Sequence, residues 1–494
     1  MFDYAEKETG YGWCVVGASF LVHVIVCGVV YSCGIVHEIF RNYFNQPSHF
    51  LTSWIATSQL AMTILTGLPA TLMTYKLGYR PTVMIGSMVA AFGMTSSVFC
   101  TEFWQVLLTF GVTTGVGFGL ALAPSVLIVE SYFYKRRTLA TSVVYSGFSV
   151  GLIFMPILIY YLEDLFSWKG TAFILGGICL NILFCGAAYR PPPAPPTPSA
   201  LKIFRIGLCR SRAFVFLCLS NAIWSFGSIM VYNYLPLYAI ESGQSPEGAT
   251  ILLGVVGLSG ALSRPMFQLF GHSAKLDHAS VLVCSVGLAA VLTGLHPQLM
   301  IHKAGQIGLA VIFGLHGAFT TILMSMLSGD LIGAEYLAWG RGFITLSIAL
   351  GVVTGSPLAG YVLDVTDDDY EIVFYLAGSA MLLSSCIMAI TNMKRCYFRP
   401  TTDWSDSESE SSAASYNKHF NMCAEEHVLL NHTTETEASV KHHNLMKSEE
   451  VGEAATSGSE AAASGVTFRY TTNPVTSYPP FRYSAFLSAP ETNV

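Results

Sequence analysis

Charge falls in clumps along this 494-residue chain, and the gaps between the clumps constrain it most. Uncharged runs cover 9–37, 42–75, 81–101, 103–129, 138–162, 170–189, 213–240, 278–302, 304–329, 342–363 and 372–393, each at least 20 residues long. A bilayer core of about 30 Å needs about 20 apolar residues of helix to cross it. A twelfth apolar stretch, 248–274, carries one internal charge, Arg264. Charged residues make up only 11% of the chain, against about 25% in soluble domains. The pattern predicts an all-α polytopic membrane protein with 12 transmembrane helices, because a helix satisfies its own backbone donors and acceptors in lipid. A net charge of −6 argues against a nucleic-acid binder.

The same arithmetic divides the chain. Residues 1–11 form a short cytoplasmic N-terminus, and 12–189 form an N-terminal six-helix bundle. A cytoplasmic linker at 190–212 opens Arg190-Pro191-Pro192-Pro193-Ala194-Pro195-Pro196, which cannot be continuous helix because proline lacks the backbone donor. A C-terminal six-helix bundle follows at 213–393. Residues 394–494 hold 13 acids and 8 bases in 101 positions and have too few aliphatic clusters to fold alone, so they read as a disordered cytoplasmic tail. MFDYAEKETG, the first ten residues, has no basic n-region or short apolar h-region, so no cleaved signal is expected. With the N-terminus in the cytoplasm, Lys and Arg outside the membrane and the distal tail split 16 to 3 in favour of the cytoplasmic side, as the positive-inside rule requires.

The two bundles are expected to be pseudo-symmetric. Arg137 precedes Gly147 by ten residues, and Arg341 precedes Gly351 by ten. Such repeats build many secondary transporters, with the binding site at midplane between them. The twelve cysteines show no C-x-x-C and no pairing in outer loops, so neither a disulfide framework nor a metal site is expected.

Arg264 is the candidate centre. A guanidinium at membrane depth costs at least about 2.5–3.5 kcal/mol and normally faces a polar cavity or a partner. Its helical face carries Gly257, Gly260, Ala261 and Gln268, which are small or polar and offer no acid. Arginine grips carboxylates in a bidentate fork, so Arg264 is read as a substrate-carboxylate anchor. The alternative is a structural pair with Asp330 or Glu130. Tyr31 and Asn233 are further substrate-binding candidates, Asn221 is a second buried amide, and His23 and His316 are the candidates for proton handling. No nucleophile–base pair or ligand cluster emerges, so no enzyme and no cofactor are expected.

Gly10-Tyr11-Gly12-Trp13 and Tyr132-Phe133-Tyr134-Lys135-Arg136-Arg137-Thr138-Leu139-Ala140, with Ser146-Gly147 and Val150-Gly151 behind it, resemble the two signature motifs of the monocarboxylate transporter family of the major facilitator superfamily. Lys76-Leu77-Gly78-Tyr79-Arg80, Trp168-Lys169-Gly170, Arg264-Pro265 and Gly355-Ser356-Pro357-Leu358-Ala359-Gly360 fit it too, and the resemblance spans about residues 8–393. It implies carriage of small carboxylates by alternating access in the plasma membrane and a transport role for Arg137. It also brings in a single-span ancillary glycoprotein as a possible partner. Proton-coupled members carry a lysine and an aspartate whose places fall on Tyr31 and Gly260 here. The resemblance therefore points to a carrier without proton coupling. A proton-linked symporter and a non-transporting scaffold acting through its tail are the alternatives. The terminal Glu491-Thr492-Asn493-Val494, with Thr492 and Val494 in the key places, fits a PDZ ligand. Asn431-His432-Thr433 has a glycosylation pattern that a cytoplasmic tail leaves unused.

Overall fold

The computed structural model describes residues 10–45, 48–133, 136–190, 212–270, 278–299, 302–332 and 337–397, all of it helix and connecting turn. The linker core at 191–211, the tail beyond 397, and with it Thr492 and Val494, lie outside the described residues.

The N-terminal half runs α1 (Gly10–Tyr31), α2 (Cys33–Phe44), α3 (His49–Leu65), α4 (Gly67–Leu77), α5 (Tyr79–Ser97), α6 (Phe103–Val106), a π-helical turn (Leu107–Thr113), α7 (Thr114–Tyr132) and α8 (Arg137–Ala187). The C-terminal half runs α9 (Arg212–Glu241), α10 (Pro246–Phe270), α11 (His278–Gly294), α12 (His296–Leu299), α13 (Lys303–Ile332), α14 (Leu337–Val365) and α15 (Tyr370–Tyr397). Among the described residues seven helices are long and apolar enough to cross a membrane, or eight when the bent pair α3–α4 counts as one span. Over their described residues the predicted windows fall mainly on helix, and several share one element or are broken by a local kink. Windows 138–162 and 170–189 share α8, whose backbone turns out of helical geometry at Ser167 (φ 56°, ψ 173°). α1 and α2 meet at Ser32, whose hydroxyl donates back to the Gly28 carbonyl (2.7 Å).

Glycines position the helices. A Cβ at Gly147 would stand 2.5 Å from the Phe20 carbonyl oxygen of α1, and one at Gly351 would collide with the Ala222 carbonyl oxygen of α9. The ten-residue spacing from arginine to glycine read in the sequence thus ends, in each half, on the same contact: a late helix against the first helix of its own half. Small residues permit such backbone approach in membrane helices. Within each half the helices pack mainly on one another, and the principal crossings between halves are α3 on α14 and α8 on α10, with α2 leaning on α9.

Candidate functional site

Arg264 sits on α10 at the α8–α10 crossing, with only 3% of its surface exposed. Its Nη1 donates to the Ser149 hydroxyl of α8. The guanidinium carbon lies 5.0 Å from the centre of the Phe148 ring, close enough for a cation–π contact. Its Nε is buried without a partner. The glycines beside the arginine do not leave open space. A Cβ at Gly257 would stand 2.7 Å from the Ser149 carbonyl oxygen, and one at Gly260 would stand 2.9 Å from the Ser149 hydroxyl. The two glycines let α8 come close enough for a serine to reach the arginine.

Tyr31 joins this group. Its ring meets Phe148 edge-on at 4.7 Å and Tyr232 of α9 at 5.1 Å. Tyr232 in turn meets Phe313 of α13 at 5.1 Å. A continuous aromatic path therefore runs from the arginine across both halves to His316, whose ring centre is 6.2 Å from that of Phe313. Trp224 Nε1 donates to His316 Nε2 at 2.9 Å. An indole N–H only donates, so Nε2 carries the lone pair and Nδ1 the proton. Ser285 and Thr320 hydroxyls stand 3.2 Å from that Nδ1. The neutral ring fits this network, and an imidazolium would turn Trp224 away.

The other expected residues are placed elsewhere or held by different partners. His23 Nδ1 bonds the Ser19 carbonyl at 2.9 Å, and its ring meets Tyr145 at 5.7 Å. Asn233 donates to the Ser356 hydroxyl, so its amide ties α9 to α14. Asn221 is fully buried, and both polar atoms of its amide lack a partner. Arg137 pairs with Glu130 at 2.5 Å, on the half-exposed start of α8. Glu130 is thereby engaged by Arg137, and the side chain of Asp330 lies outside the described residues. Sequence reasoning missed Ser149 and Phe148. Both lie between Ser146-Gly147 and Val150-Gly151, an interval that carries no mark of its own.

The nine described cysteines are free thiols, and no group of three metal-ligating side chains occurs among the described residues.

The two sequence motifs touch each other at one end of the molecule. A Cβ at Gly12 would stand 3.0 Å from the Phe133 ring, and Trp13 meets Phe133 edge-on at 5.2 Å. Tyr11 donates to the Ala188 carbonyl at 2.5 Å, the Arg190 guanidinium lies 4.3 Å from the centre of the Tyr11 ring, and Tyr132 donates to the Arg190 carbonyl at 3.1 Å. The motifs are thus a clasp that fastens the start of α1 to the ends of α7 and α8.

Comparison with known proteins agrees with this architecture. The sequence model of the Major Facilitator Superfamily matches residues 18–340. Rat monocarboxylate transporter 3 is 28% identical over 402 residues, covering 79% of this chain and 82% of that protein. Human monocarboxylate transporter 11 is 27% identical over 393 residues, covering 77% and 83%. A crystal structure of a mutant of the peptide transporter POT in complex with sulfate superposes with a TM-score of 0.62 at 14% identity, over 77% of this chain and 94% of that one, which is a likeness of fold alone. With its paired motifs in contact and its helices in this arrangement, the chain is a multi-pass membrane transporter that belongs to the major facilitator superfamily, and the relatives it resembles there are monocarboxylate transporters.

Proposed function

We propose that the protein is a facilitative carrier of small monocarboxylates or related carboxylate-bearing molecules, working by alternating access without a coupled proton. One observation carries the reading. A buried guanidinium at the crossing of the two halves is held by a neutral hydroxyl, and it keeps one donor unpartnered. A carboxylate satisfies such a fork with two parallel, charge-assisted bonds. Because Gly260 contributes no side chain beside Arg264, no acid on that turn has to be protonated before the substrate enters. His316 is tied down as a neutral ring by Trp224, which supports the same conclusion.

A panel of radiolabelled carboxylates offered to oocytes with a null background, at two external pH values, tests the proposal. The expected result is saturable uptake of at least one carboxylate, with similar rates at both pH values. Uptake that climbs steeply with an inward proton gradient overturns the proton-free mechanism, and no uptake across the panel overturns the substrate class.

The placement we favour is the plasma membrane with both termini in the cytoplasm, supported by the 16-to-3 split of basic residues. A PDZ protein at Thr492 and Val494 and a single-span ancillary glycoprotein are the proposed partners. Deleting Val494 should abolish capture by a PDZ domain array while leaving uptake unchanged.

A further inference from the structure

We infer that Ser149 is a displaceable holder of Arg264. In the empty carrier its hydroxyl occupies the guanidinium across the α8–α10 crossing, and an incoming carboxylate takes that place. The inference rests on the carrier reading above and adds the residue against which the substrate competes.

Three observations carry it. The bond joins the two halves, from Arg264 in the C-terminal half to Ser149 in the N-terminal half. Ser149 is fully buried, and both Gly257 and Gly260 abut it, so the crossing closes on this residue. Finally, Arg264 Nε is buried and unpartnered beside the occupied Nη1. A carboxylate gripping the Nη1–Nη2 edge would replace the one bond from Nη1 to a neutral acceptor with two bonds to an anion, which are shorter and stronger. Displacement is therefore downhill for an anion and not for water. It also frees α8 from α10 at the moment the substrate is held. In this way a binding event becomes a change in how the halves are joined, since a ligand shifts a conformational equilibrium only through its differential contacts in the two states.

The test uses the full chain in liposomes, radiolabelled lactate as probe, and three variants. Ser149→Ala removes the competitor, so the KM for lactate should fall by about threefold or more. A purely structural serine would lower the maximal rate and leave KM in place. Ser149→Asn and Ser149→Asp have nearly the same volume and differ in charge. Both overfill the crossing, so the two are compared with each other: the aspartate variant should transport at least tenfold more slowly than the asparagine variant, because a fixed anion cannot be displaced. Equal loss in these two variants, or an unchanged KM in Ser149→Ala, overturns the inference.

A second readout needs no transport. In detergent without substrate, Ser149→Asp should melt several degrees above Ser149→Asn, because the aspartate pairs with Arg264. Equal or lower melting means that the residue does not face the guanidinium, and it sinks the inference whatever the flux data say. If the unmodified protein carries no lactate but the melting difference appears, the lactate reading fails and the Ser149–Arg264 contact stands.

Discussion

The α3–α14 and α8–α10 crossings join the same two halves with opposite chemistry. At α3–α14 the joint is polar and partly exposed. Asp364 accepts from the Ser48 hydroxyl (2.7 Å), from the His49 backbone N–H (2.6 Å) and from that of Phe50 (3.1 Å). It thus caps the start of a helix in the other half. Asp368 stands 3.5 Å from Arg41 and 2.9 Å from His49 Nε2, and its side chain is 47% exposed. Two successive left-handed residues, Asp367 and Asp368 (φ 53° and 67°), present that carboxylate; Asp tolerates the conformation better than most residues. At α8–α10 one neutral hydroxyl meets one buried guanidinium. Screening makes exposed ion pairs individually weak, whereas an unpaired group in a buried seam is costly. The lesson is that the seam with fewer polar bonds is the one more sensitive to a single change.

Substitutions can break this contrast, and the largest effect belongs to the buried seam. Arg264→Lys keeps the charge and loses the fork. Carboxylate uptake should fall at least tenfold with normal surface expression, and unchanged uptake would show that the arginine is not the anchor. Gly360→Leu comes next. A Cβ there would stand 2.6 Å from the His49 carbonyl oxygen, so α14 must move off α3 at a cost of about 1–3 kcal/mol for overpacking. Thermal unfolding in detergent should show a drop of several degrees. Asp364→Ala removes the cap shared by three donors, and the loss should be about 1 kcal/mol, near the usual cost of deleting a cap. It should also speed labelling by an impermeant maleimide of a cysteine placed at Tyr370, which packs on His49 at 6.1 Å. Asp368→Asn should have the smallest effect, under about 1 kcal/mol as for other exposed pairs. A melting change larger than that of Asp364→Ala would reverse the ranking of the two carboxylates.

How much of this was legible in the sequence depended on whether the signal was local. The helices were, because a run of 20 apolar residues carries its own reason to be helical in lipid. Arg264 was, because one charge in an uncharged stretch stands out. Tyr31, reached by counting along one helix, stands against Phe148 and Tyr232. Ser149 was not, since serine is an ordinary membrane-helix residue and nothing within α8 marks it. It acquires its role from α10, 115 residues later. Asn233 shows the same limit in reverse, as a buried amide advertises a need for a partner without saying that Ser356 meets part of it. The break at Ser167 also went unread, because the windows on either side carried the apolar pattern and the turn between them did not.

The motif clasp has a consequence for synthesis. Tyr11 finds its acceptor 177 residues further along the chain, and Ser19 meets Tyr189 at 2.9 Å across 170 residues. At about 5–20 residues per second of translation, the first helix waits on the order of 9–35 s in the membrane before its fastening point leaves the ribosome. During that interval the Ser19 hydroxyl lacks its native partner, Tyr189. The newborn first helix is therefore a client for whatever shelters polar groups in the translocation machinery. Slowing translation ahead of residue 188 should lengthen that dependence, and a pulse–chase with site-specific crosslinkers at position 19 would time it.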